Sequence, residues 1–249
     1  MAIPVSVVTV TYNNASGLRQ TLQSLAALRF KPLEVLIVDG GSTDGTLAVV
    51  AEFHALLPLA CESEHDAGIY DAMNKGRLRA RGALIHYLNA GDSIWGEPYR
   101  SLDGPSLLPV RIHDETGGHL FDDFPKWGGY GYCHQGILFP VDHSPYDTEL
   151  EIAADLDLII ATFPKGLRHL PLVCGGGASF GLGGLSTVAQ QRRDHEYQRV
   201  LVRRLPKAKA LGLLALLKLK NLVPRFVRRG VASRSFKSAS TLPKGRPES

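Results

Sequence analysis

The chain has 249 residues, 44% of them hydrophobic, enough for one sizeable core and a single domain with an appendage. Gly and Pro, at 26 and 15 residues, are near average usage and exclude a fibrous or wholly disordered chain, while three scattered cysteines (Cys61, Cys133, Cys174) do not read as a disulfide framework or zinc site and fit a reducing compartment. The formal net charge of +4 is uneven, with acidic residues concentrated before about Glu196 and Arg and Lys dominant from Gln190 onward.

The opening MAIPVSVVTV lacks the basic segment and long apolar stretch of a signal peptide, and no apolar run reaches the roughly 18 residues of a spanning helix. A protein on the cytoplasmic side is expected. Val5 to Val10 is a β-branched run suited to a strand buried on both faces of a parallel sheet. After the polar turn Thr11 to Ser16, Leu18, Leu22, Leu25 and Leu28 recur at helical spacing, with Ser16 as the expected cap and Pro32 as the stop. Val35 to Val38 predicts a second strand, closed by Asp39-Gly40-Gly41. Ser42 to Asp44 can cap a second helix carrying Leu47, Val50, Ala51 and Phe53. Leu59 to Ser63 is a weaker third strand, Ile69 to Arg81 a third helix, and Ala83 to Leu88 a fourth strand ended by Asn89-Ala90-Gly91-Asp92. This β-α-β-α order predicts an α/β fold with a parallel sheet.

The second half is less regular. Arg111 to Tyr132 is rich in Gly, Asp and aromatics. Gly136 to Pro140 and Leu170 to Val173 read as strands, Ile152 to Phe163 as a helix with Asp155 and Asp157 near its start, and Gly175 to Gly184 as a glycine-rich loop. Ser186 to Arg204 reads as a charged helix and Ala208 to Val227 as an amphipathic one. The expected division is a catalytic domain over 1–190, a basic helical extension over 191–230 and a disordered tail over 231–249. The basic extension suits an anionic membrane surface, or nucleic acid, or simply solvent.

Four motifs carry the chemistry: VSVVTVTYNN, EVLIVDGGSTDGT, HDAGIYDAMNKG and YLNAGD. Each polar cluster falls where an apolar run ends or a helix begins, and in open α/β sheets ligands bind beyond the strand C-termini. Asp39 can accept hydrogen bonds from a base or ribose, and the glycines after it allow close backbone approach, or Asp39 can cap a turn. Asn89 and Asp92 offer hard oxygen ligands for Mg²⁺ or Mn²⁺, or form an Asx-turn without an ion. Neither a Walker nor a dinucleotide motif is present.

Together the four motifs resemble family 2 glycosyltransferases of the GT-A fold, and HDAGIYDAMNKG is similar to the subgroup of bacterial exopolysaccharide and lipopolysaccharide synthesis. The resemblance returns at CHQG, IAADLDL and GGLS. It implies a Rossmann-like, mostly parallel central sheet flanked by helices, with the basic helical extension C-terminal to it. It implies an inverting transfer from a nucleotide-sugar donor, UDP-linked, to a glycan or lipid-linked acceptor, with Mg²⁺ or Mn²⁺ as cofactor. By that resemblance Thr11, Tyr12 and Asn13 form the first-strand turn at the nucleotide base, Asp39 reads uracil, and Asp66, Asn74 and Lys75 line the donor site. Asn89 and Gly91 belong to the metal turn, Asp92 is the metal ligand, and Asp155 is the general base.

Two departures matter. The metal motif has one carboxylate where the family shows two or three, and the base motif reads Ala154-Asp155 without the preceding Glu. Asp157 is therefore a rival base, and at about 100° per residue the two cannot share a helix face. His134-Gln135 is expected at the diphosphate or acceptor, or His134 is structural; His65 and His86 are read as structural. The loop Gly181 to Ser186 is either a cover or a connector. Trp127 and Tyr130 are read as buried packing, with sugar stacking the alternative. A sugar-nucleotide nucleotidyltransferase is disfavoured because TYNNASG carries no Lys. A non-enzymatic basic module would rest on the C-terminal segment alone. The expected location is cytoplasmic, peripheral at the inner face of the cell membrane, with no nucleic acid partner.

Overall fold

A computed structural model describes residues 3–114, 117–125, 129–181 and 190–222. The chain divides into two compact units, residues 1–204 and 205–249. The first begins with β1 (Val5–Thr11), α1 (Ala15–Ala26), β2 (Glu34–Asp39), α2 (Thr46–Phe53), β3 (Leu59–Ser63), α3 (Ile69–Arg79) and β4 (Leu84–Tyr87). Every residue of β1, β2 and β4 is buried, which is why these strands read as continuous apolar runs. In β3 only Leu59 is buried, and its sequence signal is correspondingly weak.

Asn14, not Ser16, caps α1. Its backbone is non-helical, and its Oδ1 accepts from the Gly17 N–H at 3.0 Å, whereas Ser16 already lies inside the first turn.

The remainder of the first unit comprises β5 (Ser93–Gly96), β6 (Ser106–Leu107), β7 (Val110–His113), β8 (His119–Asp123), β9 (Ile137–Pro140), α4 (Ala154–Thr162), β10 (Gly176–Gly181) and α5 (Gln190–Arg204). The main sheet has the order β3-β2-β1-β4-β9-β6, parallel through β4, with β9 antiparallel to β4. A second sheet has the order β5-β10-β7-β8. This is the GT-A arrangement, a mostly parallel central sheet with helices.

Two expectations fail in this half. Leu170 to Val173 is not a strand; Leu172 makes one isolated bridge to Leu107. The stretch expected as a glycine-rich loop contains β10, a central strand. Its glycines serve close approach: a Cβ at Gly177 would lie 2.2 Å from the Pro109 oxygen, and one at Gly176 would lie 2.6 Å from the Glu97 nitrogen.

The second unit contains α6 (Lys207–Leu222). The Pro206 carbonyl accepts from the Ala210 N–H at 3.0 Å, Lys207 and Lys209 are exposed, and so are Leu211 and Leu216. No helix among the described residues is long and apolar enough to cross a membrane. Trp127, residues 182–186 of the expected cover loop and the tail from 231 lie outside the described residues.

Candidate active site

From β1 the chain moves outward to β2 and β3, then returns to place β4 on the other side of β1. The strand order therefore switches direction between β1 and β4, where the crevice of an open α/β sheet forms. Thr11 to Asn13 leave β1 at that point, and Asn89 to Asp92 leave β4 there. Ala90 N–H donates to the Val10 carbonyl at 3.1 Å and Asn14 Nδ2 donates to the Ala90 carbonyl at 3.2 Å, so the two turns are tied together.

The loop after β2 is fastened to the loop after β1. Asn13 sits at φ +47°, a left-handed conformation that Asn tolerates. Its N–H donates to Ser42 Oγ at 2.7 Å, and its Oδ1 accepts from the Thr43 N–H at 2.9 Å. Asp39 is fully buried; its carboxylate accepts from the Ser42 N–H (2.9 Å), the Ser42 hydroxyl and the Ser63 hydroxyl (2.6 Å). It thus shapes its own turn. Tyr12 stays exposed, and a Cβ on Gly40 would meet both Tyr12 and Asp66 at 3.3 Å, which puts Asp66 beside the same turn. Lys75 Nζ donates to Asp66 Oδ1 at 2.6 Å and to the His65 carbonyl at 3.0 Å, and also pairs with Glu64 at 2.8 Å. Asn74 differs: both ends of its amide bond the Tyr146 backbone, at 3.0 and 2.8 Å. It joins α3 to the segment leading into α4.

Asp92 is buried, with its carboxylate shaped by three sources. Burial pushes it up to about 7, against hydrogen bonds from the Gln135 side chain and the backbone at Gly181 and Asn89. The Gln135 amide donates to Oδ2 at 3.0 Å. Thr21 locks the turn, donating to the Asp92 carbonyl at 2.7 Å and accepting from the Gly91 N–H at 3.0 Å. Among the described residues Asp92 has no ion-pair partner, and Asn89 Oδ1 is buried without a hydrogen-bond partner. A buried carboxylate without an ion-pair partner, in the same turn as an orphaned amide oxygen, fits a divalent cation that shares its coordination with substrate phosphate and water. Among the described residues no group of three His, Cys, Asp or Glu could hold a metal ion without such help.

The two candidate bases are in different environments. Asp157 is bound by both Arg204 nitrogens at 2.7 and 2.6 Å and by Arg203 at 2.8 Å, which hold its carboxyl below the ordinary range despite burial. It is a structural ion pair between α4 and α5. Asp155 has no such bond; its Oδ1 accepts from the Leu156 N–H at 2.7 Å, and burial pushes it up to about 6. Burial raises the Cys133 thiol, and Asp92, Asp123 and Asp155 add to that rise, so all three carboxylates lie within electrostatic range of it.

A family model described as Glycosyl transferase family 2 matches residues 6–94. Over β1 to β4 the chain resembles that family. A PGL/p-HBAD biosynthesis glycosyltransferase of Mycobacterium bovis is 28% identical over 258 residues, covering 94% of this chain and 97% of that one. The fold is similar to that of S. aureus TarS, with TM-score 0.65, 18% identity and coverage of 86% of this chain; the match spans 42% of TarS. It is also similar to the mannosyltransferase PcManGT from Pyrobaculum calidifontis, described in complex with GDP-Man and Mn²⁺, with TM-score 0.63, 19% identity, and coverage of 98% of this chain and 77% of that one.

The glycosyltransferase site includes residues that sequence reasoning passed over. Gln135, not His134, makes the contact with Asp92; His134 Nε2 is buried without a partner, and burial with His86 nearby drives that ring down to about 4. The HQ pair flagged the place but not the side chain. His86, read as structural, is fully buried between the Tyr99 hydroxyl (2.6 Å) and the Gln135 carbonyl (2.7 Å), and so fixes the turn carrying Gln135. Thr21 gave no signal, being one polar residue on an amphipathic helix. Tyr130 is buried.

Proposed function

We propose that this glycosyltransferase moves a sugar, with inversion, from a UDP-linked donor to a hydroxyl of a glycan or lipid-linked acceptor in bacterial surface polysaccharide or glycolipid synthesis. The observation that carries this reading is Asp92, a buried carboxylate without an ion-pair partner among the described residues, held by Gln135 in the turn at the sheet's switch point. The neighbours described with UDP-GlcNAc and with GDP-Man support a nucleotide-sugar donor in this fold.

In this reading Tyr12 stacks on the base, Asp39 and the Ser42-Thr43 turn hold the nucleoside, and Lys75 and Asp66 flank the donor. Asp92, with Asn89 beside it, would hold Mg²⁺ or Mn²⁺, which supplies positive charge for the departing diphosphate. Asp155 takes the proton from the acceptor hydroxyl. The new carbon–oxygen bond forms on the face opposite the leaving group, the old glycosidic bond breaks, and its electron pair goes to the diphosphate. A carboxyl near 6 is ionised at neutral pH yet more basic than an exposed Asp, which suits that role. Asp157, spent on two arginines, is not available for it.

The test is a panel of nucleotide sugars read by thermal shift with Mn²⁺, since a ligand of the native state raises its Tm. The expected result is a rise with UDP-sugars that Asp92→Ala removes. No shift with any nucleotide sugar, and no nucleotide released from any, would sink the reading.

The exposed Lys207, Lys209, Leu211 and Leu216 of α6 support a second element, peripheral docking on the cytoplasmic face of an anionic membrane. Flotation with phosphatidylglycerol vesicles should fall when Lys207 and Lys209 are changed to Glu; unchanged flotation removes it.

A further inference from the structure

Ala154, directly before Asp155, carries no charge. The segment that delivers Asp155 is nevertheless held by a carboxylate. Glu196, buried on α5, accepts from the Glu151 N–H at 3.1 Å, the Ile152 N–H at 2.9 Å and the Ala153 N–H at 2.9 Å. These N–H groups belong to the N-cap and the two residues before it, ahead of the first turn of α4. Ala153 makes no side-chain cap bond, and Glu196 anchors the backbone leading into the helix from a distant element.

We propose that Glu196 is a positioning residue for the base: from α5 it fixes the backbone ahead of Asp155 and places a negative charge near it.

Other bonds brace the same arrangement. Arg192 pairs with Glu151, Arg203 with Asp147 at 2.8 Å, and Arg204 with Asp157 at 2.6 Å, so α5 grips the chain before, at and after the start of α4. Tyr70 of α3 donates to the Ile152 carbonyl at 2.9 Å, closing the other side of that segment. The titratable and charged groups within electrostatic range of Asp155 are Glu196, Arg193 and Tyr197 of α5, Tyr70 of α3, Tyr146 ahead of α4 and Cys133. Of these Glu196 is the one that adds negative charge beside an already desolvated carboxyl, and Arg193 opposes it.

The inference rests on Asp155 being the base. Its test uses the full chain, UDP-GlcNAc and GDP-mannose as probes, and water as acceptor, so that nucleotide release reads the base without a known acceptor. Glu196→Gln should lower kcat on the order of 10²-fold while the Kd for UDP with Mn²⁺ stays within about twofold. The ¹³C-carboxyl titration of Asp155 should move to lower pH, because a neighbouring negative charge is gone. Glu196→Asp keeps the charge but shortens the reach. It should lower kcat less and leave the Asp155 titration in place, and it stands in if Glu196→Gln does not fold.

Wild-type kcat and an unmoved titration in Glu196→Gln overturn the proposal, as does wild-type kcat in Glu196→Asp where that is the variant that folds. So does a loss of kcat matched by an equal loss of UDP binding. Asp155→Asn separates the two readings. If that variant releases nucleotide at the wild-type rate, the base assignment falls and this proposal with it. If Asp155→Asn is inactive while both Glu196 variants are normal, only this proposal falls. Absence of release from both probes by the wild-type enzyme counts against the proposed function and equally against this inference.

Discussion

The Gln135 side chain donates its amide to Asp92 Oδ2 at 3.0 Å, and the Cys133 thiol donates to the oxygen of the same amide at 2.8 Å. The amide cannot rotate without losing both, so the Asp92 carboxylate is aimed from behind. Groups that orient a metal ligand commonly contribute about 10–100-fold in affinity. Gln135→Leu should weaken Mn²⁺-supported UDP binding by that amount, measured calorimetrically, with the fold intact by circular dichroism.

Asp157 predicts a stability effect instead. Its carboxylate is almost fully buried against Arg203 and Arg204. Asp157→Ala removes the shared partner of two partly exposed arginines, of which Arg203 keeps Asp147, and should cost about 1–3 kcal/mol, read by urea unfolding. The pH dependence follows from sign. The folded carboxyl lies below its unfolded value of about 3.9, so the stabilisation is present above that pH and is lost as pH falls through the folded value. Wild type should therefore lose this advantage over Asp157→Ala in acid.

Asp155 titrates in the opposite direction. Burial raises it to about 6, and only the ionised form accepts a proton. Nucleotide release at saturating donor should rise with pH through about 6 and level off above it. A profile already flat from pH 5 would show that a group with an ordinary carboxyl value, or none, limits the rate.

The legibility of the chain follows how local each signal is. Thr11 and Asp39 could be located because each is the last residue of a buried apolar strand, and Asp92 because it closes the short turn after another, so the strand pattern itself points at them. The anchoring of the segment before Asp155 by Glu196 could not, because it joins residues 43 apart at Ala153 and no spacing rule connects them. Asn74 was expected at the donor from its motif, yet its amide is spent on Tyr146, a contact set by how α3 meets a remote loop. The Gly176–Gly181 strand read as a loop because glycine composition signals turns. There it reports the closeness of Pro109 and Trp95 instead.

That closeness is testable. A Cβ at Gly177 would come within 2.2 Å of the Pro109 oxygen and 2.7 Å of Trp95, both on flanking strands or their ends. Gly177→Ala should destabilise by about 1–3 kcal/mol, seen as a lower Tm, because the neighbours must move. A loop glycine in open space would tolerate the change.

The division of labour between the two carboxylates is measured most directly by comparing UDP-sugar binding with sugar transfer in Asp155→Asn. With Asp92 and the β1 and β2 turns intact, the variant should bind donor with wild-type Kd and lose transfer by about 10²–10⁴-fold at saturation. Transfer at the wild-type rate, or donor binding lost in step with transfer, would contradict the assignment of Asp155 to the acceptor proton.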